Sequence, residues 1–416
     1  MRHKWLIAGL LGLAELGVVG GMVLAAQGGL TWANVFGFAW PVVGANQFTA
    51  TADQDQTFAV GQAASLDVES SLGAITVTGG TGHEIVVHAH KTGWGIDQAE
   101  ADAALAGLKI SLTQTGNAVV VQVEPAVGLV LPIKGRNNAV DFTIQVPTDV
   151  AVKAHTSFGD VQVTGAAGGT DASTTNGRAG ASQVSGAVRL LSAFGAVTLE
   201  DSTPSTVNAR SSNGVVTVRQ VTASGAVELH SDFGSVEYTA GQAASLLART
   251  SNGKVTLSNL TIAGLANARS DFGSLTLTQV AAGSYAANSS NGSVSIDGAA
   301  GNVQARSDFG RVSVLHGVGA TLDLHSSNGA VAYSGTLGAG PHSLTSDFGS
   351  ITLTLPANAS ADLDLSTSFG NIHSALPVTT NGDLSGGHWT GVLNGGGPRV
   401  TVKTSNGSIS LDVLNS

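Results

Sequence analysis

The chain has 416 residues, of which 11% are charged and 5% aromatic, with 56 glycines and no cysteine. A formal net charge of −10 excludes the basic footprint that nucleic-acid binding needs. The lack of cysteine excludes disulfides, thiolate metal centres and a cysteine-borne lipid anchor. Apolar residues reach 42%, but with so few aromatic rings the core must be thin and lined by small and β-branched side chains.

The first 26 residues place Arg2, His3 and Lys4 before an apolar run from Trp5 to Ala26, broken only by Glu15. That run is long enough to span a bilayer as a helix, and its basic flank puts the N-terminus in the cytoplasm. Val23-Leu24-Ala25 equally suits cleavage of a signal peptide. Either reading exports the remaining chain, as a membrane-anchored protein or a secreted one. Residues 27–46 are apolar, with Trp32 and Trp40, and read as a juxtamembrane linker.

Residues 47–150 are irregular in pattern and are expected to start the repeat domain and carry an inserted cap. Asp97 with Glu100 three residues on forms a capping-box signal, and the alanine-rich stretch that follows predicts one helix over 97–107. Strand-like segments flank it, among them "HEIVVHAH". His88 and His90 share one face of that strand. A zinc ion could use such a pair, but no third ligand stands at a convincing spacing, so an ordinary surface strand is expected.

From 151 to 416 the chain repeats. Glycines 159, 177, 195, 214, 234, 253, 273, 292, 310, 329, 349 and 370 follow one another at 18–21 residues, and Gly407 lies 37 beyond the last. The residue before each glycine alternates between Phe and Asn from Phe158 to Phe348, and the alternation fails once, at Phe369. Around each glycine the apolar residues alternate, as Val303, Ala305 and Ser307 before Gly310 and Val312 and Val314 after it. This is strand patterning with one face buried. About 19 residues per unit suits one coil of a solenoid, with coils stacked about 4.8 Å apart. The expected fold is therefore all-β: a single-stranded β-helix, taken as right-handed although the sequence does not dictate its hand. The glycine is expected at a corner that needs positive φ, and the phenylalanine before it in the core. The final stretch, which breaks the period, is expected to close the rod.

Asp-Phe-Gly recurs at Asp232, Asp271, Asp308 and Asp347. In a protein kinase this triplet holds magnesium, but the partner motifs are missing, so it reads as scaffold and no metal or other cofactor is expected. Alternation turns Arg210, His230, Arg249, Arg269, Arg306 and His325 outward, each four residues before a turn glycine, with Asn288 in the same column before Gly292. The four aspartates also face outward, two residues before theirs. Mutual neutralisation of a solvated face is the plain reading. The functional one is a binding strip for an anionic glycan or cell-wall polymer.

The segments "VDFTIQVPTDVAVKAHTSFGDVQVTG", the serial "SSNGxV" and "SDFGxV" turns and the ending "LNGGGPRVTVKTSNGSISL" make residues 47–416 resemble a family of bacterial adhesin-like proteins, built on a β-strand-repeat domain of unknown function. The resemblance implies a β-helix displayed at the cell envelope and implies no chemistry. The expected function is a non-catalytic surface module, adhesive or structural, whose partner is an envelope polymer, glycan or surface protein and whose membrane contact is the N-terminal helix. The alternative is a polysaccharide lyase or hydrolase. Such an enzyme needs one distinctive carboxylate constellation, and the aspartates here are equivalent to one another.

Overall fold

The computed structural model describes residues 48–124, 138–380 and 387–414. The expected anchor or signal segment (1–26) and the linker (27–46) lie outside the described residues. Among the described residues no helix is long and apolar enough to cross a membrane.

Strand β1 (Phe48–Ala59) runs antiparallel to β4 (Glu84–Gly95), and β4 runs antiparallel to β7 (Ala139–Pro147). β2 (Ser65–Leu72) and β3 (Ile75–Gly80) form the first coil. A short helix, α1 (Gln98–Gly107), packs on β4 and β1. Its N-cap is Asp97, whose carboxylate accepts from Glu100 N at 2.8 Å, and the Glu100 carboxylate accepts from Ile96 N at 2.7 Å. β5 (Ile110–Thr115) pairs antiparallel with β6 (Ala118–Val123). β6 and β7 cover the outer side of β2 and β3, while β8 (Ala151–Phe158) and β9 (Val161–Thr164) pair with their inner side, all in parallel. The first coil is thus sandwiched between later chain.

Beyond β9 each coil repeats one plan: a strand, a corner, a second strand. Each strand pairs in parallel with its equivalents one coil before and after, as Arg249↔Arg269 and Thr256↔Thr276 illustrate. In the middle coils the second strand runs on into a third segment, which places Gly241, Leu260 and Val280 in one row. The result is a β-solenoid. Its core is the expected one: Val303, Ala305, Ser307, Val312 and Val314 are all buried, and small Ala alternates with Val and Leu along the column.

The corner departs from expectation in two ways. Apart from Gly73 and Gly159 at the N-terminal end, its glycines do not occupy the positive-φ region. They are needed because the coils touch there. A Cβ on Gly273 would lie 1.8 Å from Gly253 O, and the same collision recurs up the stack. Positive φ belongs to the next corner, six residues on, at Gln183, Asp201, Gln220, Ala240, Asn259, Gln279 and His316, with φ between 48° and 55°.

Secondly, the phenylalanines are outside. Phe194, Phe233, Phe272, Phe309 and Phe348 are 62–64% exposed, Phe369 76% and Phe158 44%. The inward residues on either side of the corner, Ser270 and Leu275, are five apart. That separation is odd, so period-2 alternation cannot run through the corner, and the ring turns to solvent.

What takes the ring's place inside is a hydroxyl. Ser270 Oγ donates to Gly253 O of the preceding coil at 3.0 Å and accepts from Gly273 N of its own at 2.8 Å. Ser211, Ser231, Thr250, Ser289, Ser307, Ser326 and Ser346 repeat the arrangement. Each buried hydroxyl thereby satisfies two backbone groups that the bend removes from the regular ladder.

At the C-terminal end, chain order and spatial order part. Arg399–Thr404 pairs on one side with His342–Ser346 and on the other with Ala361–Thr367. Ile409–Val413 sits likewise between Ile351–Leu355 and Ile372–Ser374. The last coil in sequence is therefore inserted before the previous one, and the glycine stack runs Gly349, Gly407, Gly370. This resolves the broken alternation, since in space Phe348 is followed by Asn406 and then Phe369. The outer strand of 361–367 is covered antiparallel by His388–Leu393.

Candidate functional site

The parallel register brings the predicted residues into one row. Arg210, His230, Arg249, Arg269, Asn288, Arg306 and His325 are in-register neighbours on successive coils. Asp232, Asp271, Asp308 and Asp347 stand two residues nearer the corner, on every second coil. Stacked arginines about 4.8 Å apart would repel, and the row relieves this with local acids. His230 Nε2 meets Asp232 at 2.9 Å, Arg269 meets Asp271 at 3.7 Å, and Arg210 meets Glu228 at 3.5 Å. Arg306 pairs at 2.7 Å with Asp323 on the next coil, not with its own Asp308. Burial pushes the Asp323 carboxyl up, but hydrogen bonds from Arg306 and Gln304 outweigh it and hold the group below its ordinary value. His325 Nδ1 contacts Thr345 Oγ1 at 2.9 Å.

Three charges of the strip stay uncommitted. Among the described residues no ion pair engages Arg249, Asp308 or Asp347. The strip holds four arginines and four aspartates, so it is neutral when its histidines are. It can offer hydrogen-bond donors and acceptors over a long line, but no strong field of either sign. Exposed pairs of this kind contribute about 0.2–1 kcal/mol each, so their removal should leave the fold intact.

The feature that the sequence pattern concealed is the row beside this strip. Seven phenylalanines, Phe158 to Phe369, lie along one edge of the solenoid on alternate coils, about 9.6 Å apart. Asparagines occupy the coils between, and Asn213, Asn291 and Asn328 donate their amide to a backbone carbonyl of the coil before. The odd spacing of the inward residues around the corner was the signal that could have exposed the rings.

Two further polar groupings lie toward the N-terminal end of the described residues. His88 meets Asp55 at 2.6 Å and His90 meets Asp53 at 2.7 Å across the β1–β4 pairing. No set of three potential ligands suited to a metal ion occurs among the described residues. Near the N-terminal end an open hollow of about 530 Å³ is lined by Lys153, Asp171, Arg189 and Asn208 among others. Its charges are paired as Lys153–Asp67 and Arg189–Asp171.

No curated protein matches the chain. Among solved structures, one described as a "putative cell adhesion protein" from Clostridium sporogenes shares 6% identity at a TM-score of 0.18, over 88% of this chain and 100% of that one. A second, a "putative adhesin" from Bacteroides fragilis, shares 12% identity at a TM-score of 0.25, over 87% of this chain and 97% of that one. At those scores neither likeness bears on what this chain does. Residues 235–412, a little under half of the chain and all within the stacked coils and their C-terminal closure, match the family described as Toastrack DUF4097.

Proposed function

We propose that the protein is a non-catalytic β-solenoid of the cell envelope, an adhesive or structural rod exported by its N-terminal segment and held at the membrane by it. Its partner is an extended envelope polymer, glycan or surface protein. The observation that carries this reading is repetition. The Arg/His row, the Asp row and the phenylalanine edge present the same groups at a fixed axial interval along the stack. A repeating surface suits a repeating or extended partner, because each coil adds one weak contact and the contacts sum by multivalency. The strip Arg210, His230, Arg249, Arg269, Arg306, His325 with Asp232, Asp271, Asp308 and Asp347 is the proposed polar contact line.

The test is binding of the full chain to arrayed glycans and immobilised cell-wall polymers, alongside a screen for polysaccharide degradation. Binding that weakens step by step in Arg249→Ala, then Arg249→Ala/Arg269→Ala, then with Arg306→Ala added supports the reading. Turnover of any polysaccharide would overturn it in favour of an enzyme.

A further inference from the structure

The phenylalanine edge is more than a solvated surface tolerates. With about 200 Å² for a whole phenylalanine, the seven rings leave roughly 850 Å² of apolar surface in water at their observed exposures. Asparagine rows separate the rings, but their summed area exceeds the few hundred Å² of apolar patch that monomeric proteins usually expose. A standard specific interface covers ~800 Å² per partner. The edge alone therefore has the area that a stable dimer needs.

The edge is also self-complementary. Large and small residues alternate strictly in space, including the step Phe348, Asn406, Phe369 that the inserted last coil creates. A second copy laid antiparallel, with its two-fold axis between two adjacent coils near the middle of the edge, sets six of the seven phenylalanines opposite an asparagine row and leaves one terminal ring over. Each of the six rings then enters the gap between two rings of the partner. The same offset settles the charges. Phenylalanine coils carry Asp232, Asp271, Asp308 and Asp347 two residues before the glycine, whereas the asparagine coils between carry Ser212, Ser251, Ser290, Ser327 and Ser405. Aspartate therefore faces serine, a donor to a carboxylate, and not another aspartate.

We propose that this edge is a dimerisation surface, on which a second copy of the chain docks antiparallel and the phenylalanines of each copy interdigitate with those of the other. A two-fold contact of this kind closes on itself and does not propagate into fibres. The dimer rests on the phenylalanine edge, and it shares Asp232, Asp271, Asp308 and Asp347 with the polar strip proposed above, while the arginine and histidine row lies outside it.

The natural chain has no cysteine, which permits a clean test on the full-length protein. Single substitutions Asn213→Cys, Asn252→Cys, Asn291→Cys and Asn328→Cys are oxidised and scored for cross-linked dimer. The antiparallel arrangement gives a yield that peaks at one position near the two-fold axis and falls on both sides. Equal yields at all four positions would replace it with a parallel, in-register pairing, and no cross-link at any would overturn it. In parallel, Phe233→Asn/Phe272→Asn/Phe309→Asn fills three corners with the residue that neighbouring coils already carry there, so the fold is kept. Sedimentation should show self-association weakened on the order of 100-fold or more, the loss expected of several central anchors. Unchanged self-association in this variant, or a monomeric wild-type chain, would refute the dimer.

Discussion

Replacing Gly273 by alanine separates the two reasons a corner can demand glycine. The added Cβ would lie 1.8 Å from Gly253 O, so the two coils must part by about 1.2 Å to reach even the tight limit of ~3.0 Å set by van der Waals contact. Four hydrogen bonds cross that seam within a few residues. They are Ser270 Oγ to Gly253 O at 3.0 Å, Phe272 N to Ser251 O at 2.8 Å, Asp271 N to Ser251 O at 3.2 Å and Val255 N to Ser274 O at 3.0 Å. Stretched by more than 1 Å, none remains a hydrogen bond. At roughly 1 kcal/mol net for each, and more for groups left buried and unpaired, the loss is about 3–5 kcal/mol. Because a solenoid coil touches only its neighbours, the loss should stay local. Hydrogen exchange of the full chain, read by mass spectrometry on peptides spanning 250–275, should accelerate on the order of 10²–10³-fold, with distant coils unaffected. The control is Gly298→Ala, at a glycine with φ +86 and nothing within 4 Å of its Cβ. It should lose only about 1 kcal/mol, through backbone conformation. If Gly273→Ala is no worse than Gly298→Ala, the contact explanation of the glycine column is wrong.

Other consequences follow from the same structure. At the second corner Ala240 holds φ 55°, and Ala240→Gly should stabilise its coil by up to about 1 kcal/mol, the strain relieved less the entropy that glycine adds; unchanged or faster exchange around 236–243 would contradict this. A chain ending after Pro398 lacks the inserted coil and bares both His342–Ser346 and Ala361–Thr367, so limited proteolysis should remove residues beyond about 355, and an uncleaved fragment would count against the insertion. The β1–β4 pairing should depend on pH at both ends. The Asp55 hydrogen bond raises His88 above its ordinary 6.5, so that contribution is complete below 6.5 and fades as pH rises through the raised value. The His90 hydrogen bond lowers Asp53 below its ordinary 3.8, so that contribution is present above 3.8 and fades as pH falls through the lowered value. Exchange protection of 52–58, corrected for intrinsic rate, should therefore be greatest between pH 3.8 and 6.5,, and Asp55→Asn should flatten the alkaline limb; a wild-type profile already flat would dispose of the linkage.

Much of this molecule is written locally. Alternation around each corner, as in Val303, Ala305, Ser307 and Val312, determined the strands and the thin core, and a period near 19 determined a stack of coils, because each coil must bury the same narrow face as the next. The same alternation placed Arg210, His230, Arg249, Arg269, Arg306 and His325 on one outward row. The capping pair Asp97 and Glu100 sufficed for the helix, since a helix start is a matter of adjacent residues. Contacts between coils decided the rest. Whether Phe272 points in or out depends on how the chain bends between two strands, where alternation no longer operates, and a buried hydroxyl bridging two coils took the interior position. Whether a glycine serves φ or close approach depends on the coil beneath it. The insertion of 399–413 before 361–374 depends on pairing between strands more than 30 residues apart, which no local pattern encodes. Only in the folded stack does Asn406 come between Phe348 and Phe369 and complete the alternating edge.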